Sequence, residues 1–206
     1  MPPEPTAEKP PLLPPQLWLL IGGNGSGKST FHAQFLARHG LPLVNADQIA
    51  RTFWPDQAEN HSYEAALLAE KERLRLVQEQ QSFCFETVFS HPSKLDFIAH
   101  ARAMGYTIVV FYFHLQDPGL NLARVAQRVA QGGHGVAEEK VRQRLPRTFE
   151  LAQRLPGLVD ELHLVDNKSA ENPFQRLALW RQAQWQRFYE PMPDWAQDFM
   201  AHPGQP

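Results

Sequence analysis

Short apolar runs alternate with longer amphipathic stretches along most of the chain. The runs are bounded by glycine or polar residues, and we interpret them as buried strands at 17–21, 41–44, 83–85, 107–115 and 162–165. The run at 107–115 is the strongest, because its β-branched and aromatic residues make both faces apolar. That pattern is typical of a central parallel strand.

The stretches between these runs carry apolar residues at helical spacing. They predict helices at 28–38, 62–80, 94–104, 120–130 and 138–154. The alternation indicates an α/β fold, a parallel sheet flanked by helices, with ligands at the carboxyl ends of the strands. After Pro173 the periodicity fits either a strand pair or an amphipathic helix, and we expect residues 173–206 to pack on the sheet.

Length and composition predict one domain preceded by an arm. The 206 residues are enough for a single α/β domain with a sizeable core. Residues 1–16 are too rich in proline for a helix and lack the apolar core of a secretory signal. We therefore expect an extended arm at 1–16 and one domain at 17–206. A polyproline ligand for a partner domain is the alternative interpretation of the arm.

Charge and cysteine usage exclude several classes of protein. A formal net charge of −2 gives no large positive field of the kind that duplex nucleic acid binding needs. No apolar run approaches the roughly 20 residues that span a bilayer, so we expect no membrane partner and a cytoplasmic location. The single cysteine, Cys84, excludes an internal disulfide and is expected to be buried. No histidine has neighbours at metal-ligand spacing, so we expect no zinc.

The strongest local signal is a glycine-rich loop between the first predicted strand and the first predicted helix. It matches the phosphate-loop pattern through Gly22, Gly23, Asn24, Gly25, Ser26, Gly27, Lys28, Ser29 and Thr30. Glycines let backbone N–H groups wrap an anion, and the helix N-terminus adds a favourable dipole. We expect ATP as cofactor, with Lys28 facing its β and γ oxygens and the Ser29 hydroxyl holding Mg²⁺. A flexible glycine turn is the alternative.

Phosphate loops serve many reactions, so other features must select among them. The second signature of transporter ATPases, Leu-Ser-Gly-Gly-Gln, is absent, and no strand ends in apolar residues followed by Asp-Glu. The GTPase base-reading pattern is also absent, because serine and alanine follow Asn167 and Lys168. The compact kinases remain.

The order of the motifs resembles the zeta-toxin-like P-loop kinases from about Leu17 to Asn167. After the phosphate loop come Val44-Asn45-Ala46-Asp47 with Ile49-Ala50-Arg51, Phe85-Glu86-Thr87-Val88-Phe89-Ser90, Arg124-Val125-Ala126-Gln127-Arg128-Val129 before Gly132-Gly133-His134, and Val165-Asp166-Asn167. The resemblance implies a kinase that phosphorylates a sugar hydroxyl of UDP-N-acetylglucosamine. It also implies a small antitoxin protein as partner.

Asp47 is the predicted catalytic base, because it falls where the second strand should end, at the mouth of the site. A carboxylate there can accept the proton of an acceptor hydroxyl as the oxygen attacks the γ-phosphate. The family pattern supports the same role. The alternative is a helix N-cap, since Asp47 precedes Gln48-Ile49-Ala50.

Glu86 follows the third predicted strand, and the resemblance assigns it to acceptor binding. The hydroxyl groups of Thr87 and Ser90 lie just beyond it in sequence, and this combination suits a polyhydroxylated acceptor. The alternative is a structural carboxylate that pairs with Arg51 or caps the next helix.

The segment 124–147 predicts a lid over ATP, because two arginine-bearing helices are joined there by a glycine hinge that contains His134. The family pattern selects Arg128 and Arg144 to contact the transferring phosphoryl group, with Arg142 and Arg147 as alternatives. A solvated helix face pairing with glutamates is the other interpretation of any of these arginines.

Three further polar residues adjoin predicted strands. Asp117 precedes Pro118 and is expected to cap a helix rather than bind a metal. Asp166 and Asn167 end the last predicted parallel strand, where they either line the adenine pocket or form a simple turn. We assign Asn167 to the cofactor site.

Three functions stay open at this stage. The leading hypothesis is an ATP-dependent kinase acting on a hydroxyl of a nucleotide sugar or related small molecule. The second is a kinase for another acceptor, such as a nucleic-acid end or a dinucleotide. The third is a non-catalytic ATP-binding regulatory module.

Overall fold

The computed structural model describes residues 13–133 and 135–202. Its centre is a seven-stranded sheet in the order β2-β3-β1-β4-β5-β6-β7. The strands are β1 Gln16–Gly22, β2 Leu43–Asn45, β3 Phe83–Thr87, β4 Thr107–His114, β5 Glu161–Asp166, β6 Gln175–Arg181 and β7 Gln184–Arg187.

Most connections between the strands contain helices, and one further helix follows β7. The helices are α1 Lys28–Phe31, α2 Ala46–Phe53, α3 Ser62–Gln78, α4 Ser93–Ala103, α5 Pro118–Ala130, α6 Glu138–Ala152 and α7 Asp194–Ala201. The chain after α1 continues as a π-helical segment at His32–Leu36 and a 3₁₀ turn at Ala37–His39. Within the described residues, no helix is both long and apolar enough to cross a membrane.

The α/β prediction is confirmed, with one change in the sheet. Strands β2, β3, β1, β4 and β5 are all parallel, as the alternating pattern predicts. Strand β6 pairs antiparallel with β5, and β7 pairs antiparallel with β6. The sheet is therefore mixed rather than wholly parallel.

The centre of the sheet is buried on both faces. Along β1, Leu19 and Ile21 pack in the larger apolar cluster, whereas Leu20 packs with Cys84 and Phe113 in a second cluster. Successive side chains of a strand point to opposite faces, so a strand covered on both sides reads as a continuous apolar run. Burial raises the pKa of Cys84 to about 12, as expected of an inert thiol in an apolar site.

The helix α2 lies where only the alternative interpretation of Asp47, as an N-cap, predicted a helix. It begins directly after β2, where Asn45 Oδ1 accepts hydrogen bonds from the backbone N–H groups of Asp47 at 2.8 Å and Gln48 at 3.3 Å. Asn45 is therefore the N-cap, and the interpretation of Asp47 as the cap is wrong. Only Ala50 of this short helix is buried.

The residues after Pro173 extend the same sheet. The hairpin between β6 and β7 turns through Gln182 and Ala183, whose φ values are 52° and 59°. Positive φ at both positions of a two-residue loop is the type I′ arrangement, which matches the twist of the strands. The chain then returns through α7, and Trp195 and Phe199 lie in the larger apolar cluster.

The predicted arm falls largely outside the described part of the chain, which begins at Leu13. Gln16, at the predicted end of the arm, already belongs to β1. The carbonyl oxygen of Pro15 accepts a hydrogen bond from the backbone N–H of Thr107 at 2.9 Å. The sheet therefore begins before the predicted domain boundary.

Candidate active site

The glycine-rich loop joins β1 to α1 at the carboxyl edge of the parallel strands. Lys28 is buried, and its Nζ donates hydrogen bonds to the carbonyl oxygens of Gly22 at 2.8 Å and Gly23 at 2.9 Å. Gly27 has a φ of 99°, and a Cβ at this position would collide with the side-chain amide of Asn167. Glycine is therefore required at 27, and the loop holds its lysine inside the site.

Two buried asparagines from distant elements support the loop. Nδ2 of Asn121, on α5, donates to the carbonyl oxygen of Asn24 at 2.7 Å. Nδ2 of Asn167, after β5, donates to the carbonyl oxygen of Ser26 at 2.9 Å. A buried amide that lost its partner would be costly, so these bonds stabilise the loop conformation. Sequence reasoning missed Asn121, because an asparagine inside an amphipathic helix carries no signal of its own.

Asn167 also organises the chain that follows β5. Its Oδ1 accepts a hydrogen bond from the backbone N–H of Phe174 at 3.1 Å, and Phe174 has a φ of 58°. The ring of Phe174 packs against Phe31 with centroids 5.4 Å apart. Asn167 lines the cleft, whereas Asp166 turns back to accept from the backbone N–H of Lys168 at 2.9 Å. The turn interpretation therefore holds for Asp166, and cofactor binding by Asn167 stays a prediction.

Glu86 is the partly buried penultimate residue of β3 and lies beside the loop serine. Its Oε1 accepts a hydrogen bond from Ser29 Oγ at 2.8 Å, and its Oε2 accepts one from Asn45 Nδ2 at 2.8 Å. Arg51, the alternative partner of Glu86, donates instead to the carbonyl oxygen of Asp47 at 3.2 Å. The carboxylate is therefore held at the phosphate loop.

The oxygens of Ser29 and Glu86 fit the predicted Mg²⁺. Magnesium prefers oxygen ligands, and it usually takes one or two from the protein and the rest from water and substrate phosphates. The described residues contain no group of three or more histidine, cysteine, aspartate or glutamate side chains that could hold an ion. A site that combines one hydroxyl, one carboxylate and the phosphates of ATP needs no such group.

Asp47 lies in the first turn of α2 and lines the same cleft as Lys28. Asn45 fixes its position, since the Asn45 Oδ1 accepts from the backbone N–H of Asp47 while the Asn45 Nδ2 donates to Glu86. A single asparagine therefore couples the position of the predicted base to that of the carboxylate beside Ser29. The sequence pattern predicted no separate role for Asn45, which appears there only as part of the Val44-Asn45-Ala46-Asp47 motif.

Four charged side chains interact across the loop. Burial lowers the pKa of Lys28, the carboxylates of Glu86 and Asp47 counteract this lowering, and the guanidinium of Arg128 adds to it. Interactions between charges decrease with distance and with screening by water. The loop lysine, both predicted acidic residues and one predicted lid arginine therefore belong to one site.

The predicted lid at 124–147 covers the second half of α5, most of α6 and the connection between them. Arg128 on α5 and Arg144 on α6 both line the cleft. Arg142 instead forms an exposed salt bridge with Glu138 at 2.8 Å, and Arg147 is exposed to solvent. The two arginines selected by the family pattern face the site, whereas the two alternatives do not line it.

The C-terminal part of α6 contacts the loop after β3 through a side-chain hydrogen bond. Thr148 Oγ1 lies 2.9 Å from the carbonyl oxygen of Val88 and 2.8 Å from that of Arg144.

Two further predictions concern the ends of α5. The predicted hinge residue His134 belongs to the connection between α5 and α6 and lies outside the described residues. The predicted cap of α5 is present, because Asp117 Oδ1 accepts from the backbone N–H of Gly119 at 2.8 Å.

One cleft of about 1140 Å³ is lined by Lys28, Ser29, Asp47, Arg128 and Arg144. Its lining includes the phosphate loop and the predicted acceptor residues Glu86, Thr87 and Ser90. Sites for one small molecule usually measure roughly 300–1,000 Å³. The volume of the cleft lies just above this range.

Fold and site together define a P-loop protein with a kinase-like fold. The family model described as an AAA domain matches residues 17–152, which include the phosphate loop, Asp47, Glu86 and both lid helices. The chain belongs to this AAA domain family. An uncharacterized protein of Haemophilus influenzae is 28% identical to it over 136 residues, which are 63% of this chain and 96% of that protein.

Solved structures share the fold at low sequence identity. A chain of the AvrRxo1-ORF1:-ORF2 complex with ATP gives a TM-score of 0.69 at 14% identity, over 92% of this chain and 63% of that one. A structure of the PezAT toxin-antitoxin system of Streptococcus pneumoniae gives a TM-score of 0.58 at 13% identity, over 78% of this chain and 72% of that one. The structure of a putative kinase of Chloroflexus aurantiacus gives a TM-score of 0.52 at 18% identity, over 66% of this chain and 80% of that one. This chain thus spans less than two thirds of the AvrRxo1 complex chain.

Proposed function

We propose that this protein is an ATP-dependent kinase that transfers the γ-phosphoryl group to a hydroxyl of a small molecule. The observation that carries the proposal is the placement of Asp47 in the same cleft as Lys28, close enough to affect the lysine electrostatically. A carboxylate beside the phosphate loop is the group that transfer to an alcohol requires and that simple nucleotide binding does not.

ATP would bind with its phosphates in the glycine-rich loop. Lys28 Nζ now bonds two loop carbonyl oxygens, and phosphate oxygens would become its partners there. The Ser29 hydroxyl and the Glu86 carboxylate would hold Mg²⁺, which supplies positive charge to the phosphate oxygens. Asn121 and Asn167 keep the loop backbone in the conformation that presents its N–H groups.

The acceptor hydroxyl would be activated by Asp47. As the hydroxyl oxygen bonds to the γ-phosphorus and the bond to the β-γ bridging oxygen breaks, the proton passes to the Asp47 carboxylate and ADP leaves. The Asn45 cap holds the backbone of Asp47, so the carboxylate needs little rearrangement before transfer. Thr87 and Ser90, which follow Glu86 and line the same cleft, would orient the acceptor by hydrogen bonds.

A nucleotide sugar such as UDP-N-acetylglucosamine is the proposed acceptor. Its support is the zeta-toxin-like order of motifs and the hydroxyl-bearing side chains of Thr87 and Ser90 in the cleft. A small antitoxin is proposed as partner on the same resemblance, and a structure named for a toxin-antitoxin system has the same fold. A screen of nucleotide sugars, nucleotides and nucleic-acid ends with labelled ATP, read by mass spectrometry, tests the reaction. Absence of transfer to every acceptor, in a protein that binds ATP, would refute it.

The lid arginines give a kinetic prediction. If Arg128 and Arg144 stabilise charge that develops during transfer, Arg128→Ala and Arg144→Ala should each lower kcat by about 10²-fold or more while changing ATP affinity much less. Steady-state kinetics with a separate measurement of ATP binding checks this. Arg142→Ala is the matched control, because it removes an arginine of α6 that pairs with Glu138 in solvent. Equal losses in all three variants would show a structural effect of the lid helices.

A further inference from the structure

Arg73 is a buried arginine that forms no salt bridge within the described part of the chain. It lies on α3, is 3% exposed and lines the cleft. Its guanidinium carbon lies 4.2 Å from the ring centroid of Phe85 and 4.9 Å from that of Phe97. Its Nε is buried without a hydrogen-bond partner, and no carboxylate of the described residues lies within ion-pairing distance.

Lys94 adds a second positive charge to the same cleft. It lies in the first turn of α4, is partly buried and also lines the cleft. Burial lowers the pKa of Lys94, the neighbouring Arg73 lowers it further, and Glu70 counteracts both. Glu70 is exposed and forms no salt bridge with either cation in the described part of the chain. The two cations are therefore neighbours that repel each other.

Such a pair is unfavourable unless something else binds there. A buried charge normally has a partner of opposite sign, because desolvation is otherwise uncompensated. The two aromatic rings stabilise the Arg73 guanidinium only in part, since a cation over a ring keeps its N–H donors unbonded. Burial lowers the pKa of Arg73 to about 10, which reflects the same cost. An anion between the two side chains would supply the missing partner.

We propose that Arg73 and Lys94 form a second anion site, which binds a phosphate group of a small phosphorylated acceptor. This inference rests on the kinase reaction proposed above. The cations of the anion site come from α3 and α4, whereas α1 contributes Lys28 of the phosphate loop. Phe85 and Thr87 belong to the strand that also carries Glu86, so the anion would lie near the residues that orient the acceptor. The acceptor is held by its phosphate while a hydroxyl of the same molecule reaches Asp47.

A small molecule fits this site better than a polymer. Arg73 is almost wholly enclosed by protein, so only a group that enters the cleft can reach it. Arginine binds phosphate through several N–H donors at once, and a nearby lysine adds charge without fixing geometry. Both the diphosphate of a nucleotide sugar and the phosphate of a phosphorylated sugar have this chemistry.

Inorganic phosphate is the probe that tests the site. We expect it to bind the full chain saturated with Mg²⁺ and a non-hydrolysable ATP analogue, as measured by ³¹P NMR line broadening. Lys94→Gln should weaken this binding roughly 10- to 100-fold, because it removes one charge-assisted partner. Lys71→Gln is the matched control, since Lys71 is an exposed lysine of α3 that does not line the cleft.

Arg73→Met separates binding from a structural role. Replacing an unpaired buried charge by an apolar side chain is often neutral or stabilising, so we expect an unchanged or higher melting temperature together with loss of phosphate binding. A lower melting temperature with unchanged phosphate affinity would make Arg73 a structural residue and overturn the proposal. Absence of phosphate binding to the loaded wild type, or unchanged binding in Lys94→Gln, would overturn it as well.

Competition identifies the source of the phosphate. Displacement of bound phosphate by UDP supports a nucleotide sugar, and displacement by N-acetylglucosamine 1-phosphate supports a phosphorylated sugar. If neither displaces it, the assignment to a phosphorylated acceptor is wrong. These measurements need no turnover, so a chain that binds phosphate at this site but transfers none from ATP would refute the kinase reaction and leave the anion site standing.

Discussion

Lys28→Ala is expected to lower phosphoryl transfer by about 10²- to 10³-fold, with weaker ATP binding. The lysine Nζ lies inside the phosphate loop, held by the carbonyl oxygens of Gly22 and Gly23, and no other lysine lies in the loop. Loss of a preorganised donor to the phosphates costs about this much in other sites that stabilise developing charge. Nucleotide titration and single-turnover transfer measure the two effects separately.

Lys168→Ala is the control for the charge itself. Lys168 lies at the same edge of the sheet, follows Asn167 and pairs with Asp166 at 3.4 Å, but it does not line the cleft. Its removal changes the net charge by the same amount and should leave transfer nearly unchanged. Wild-type ATP binding and transfer in Lys28→Ala would mean that the nucleotide phosphates bind elsewhere.

The parallel half of the fold could be predicted because burial on both faces leaves a strong signal. The strand β4 is predicted to within one residue, at 107–115 against Thr107–His114, because apolar side chains fill both of its faces. The helix α2 was not among the predicted helices, since its eight residues make little more than two turns and are fewer than the window over which helical periodicity is recognised. The type I′ hairpin at Gln182 and Ala183 also escaped, because neither residue is the glycine or asparagine that usually marks this turn.

The site was predictable where the chemistry is local in sequence. The phosphate loop is one continuous motif, and Asp47 and Glu86 follow predicted strands whose carboxyl ends meet at one edge of a parallel sheet. Asn121 could not be found this way, because its hydrogen bond to Asn24 joins residues 97 positions apart. The sequence Glu70-Lys71-Glu72-Arg73 looks like an exposed charged helix face, and the burial of Arg73 depends on how α3 packs against β3 and α4.

Asp47→Asn is expected to lose transfer to the acceptor by about 10²- to 10⁴-fold while binding Mg²⁺-ATP nearly as well. Asparagine keeps the size of the side chain but cannot accept the hydroxyl proton. The Asn45 cap uses the backbone N–H of Asp47, so the substitution leaves the start of α2 intact. Removal of a first-turn carboxylate costs about 0.3–1 kcal/mol, so the melting temperature should fall by no more than about 2–4 °C.

Asp96→Asn is the matched control for this prediction. Asp96 is likewise an acidic residue in the first turn of a helix, but it is exposed on α4 and does not line the cleft. Both variants should lose the same small amount of stability, and only Asp47→Asn should lose transfer. Transfer at the wild-type rate by Asp47→Asn would contradict its assignment as base and make Glu86 the next candidate. If Asp47→Asn lost ATP binding in proportion to transfer, the carboxylate would serve the nucleotide rather than the acceptor.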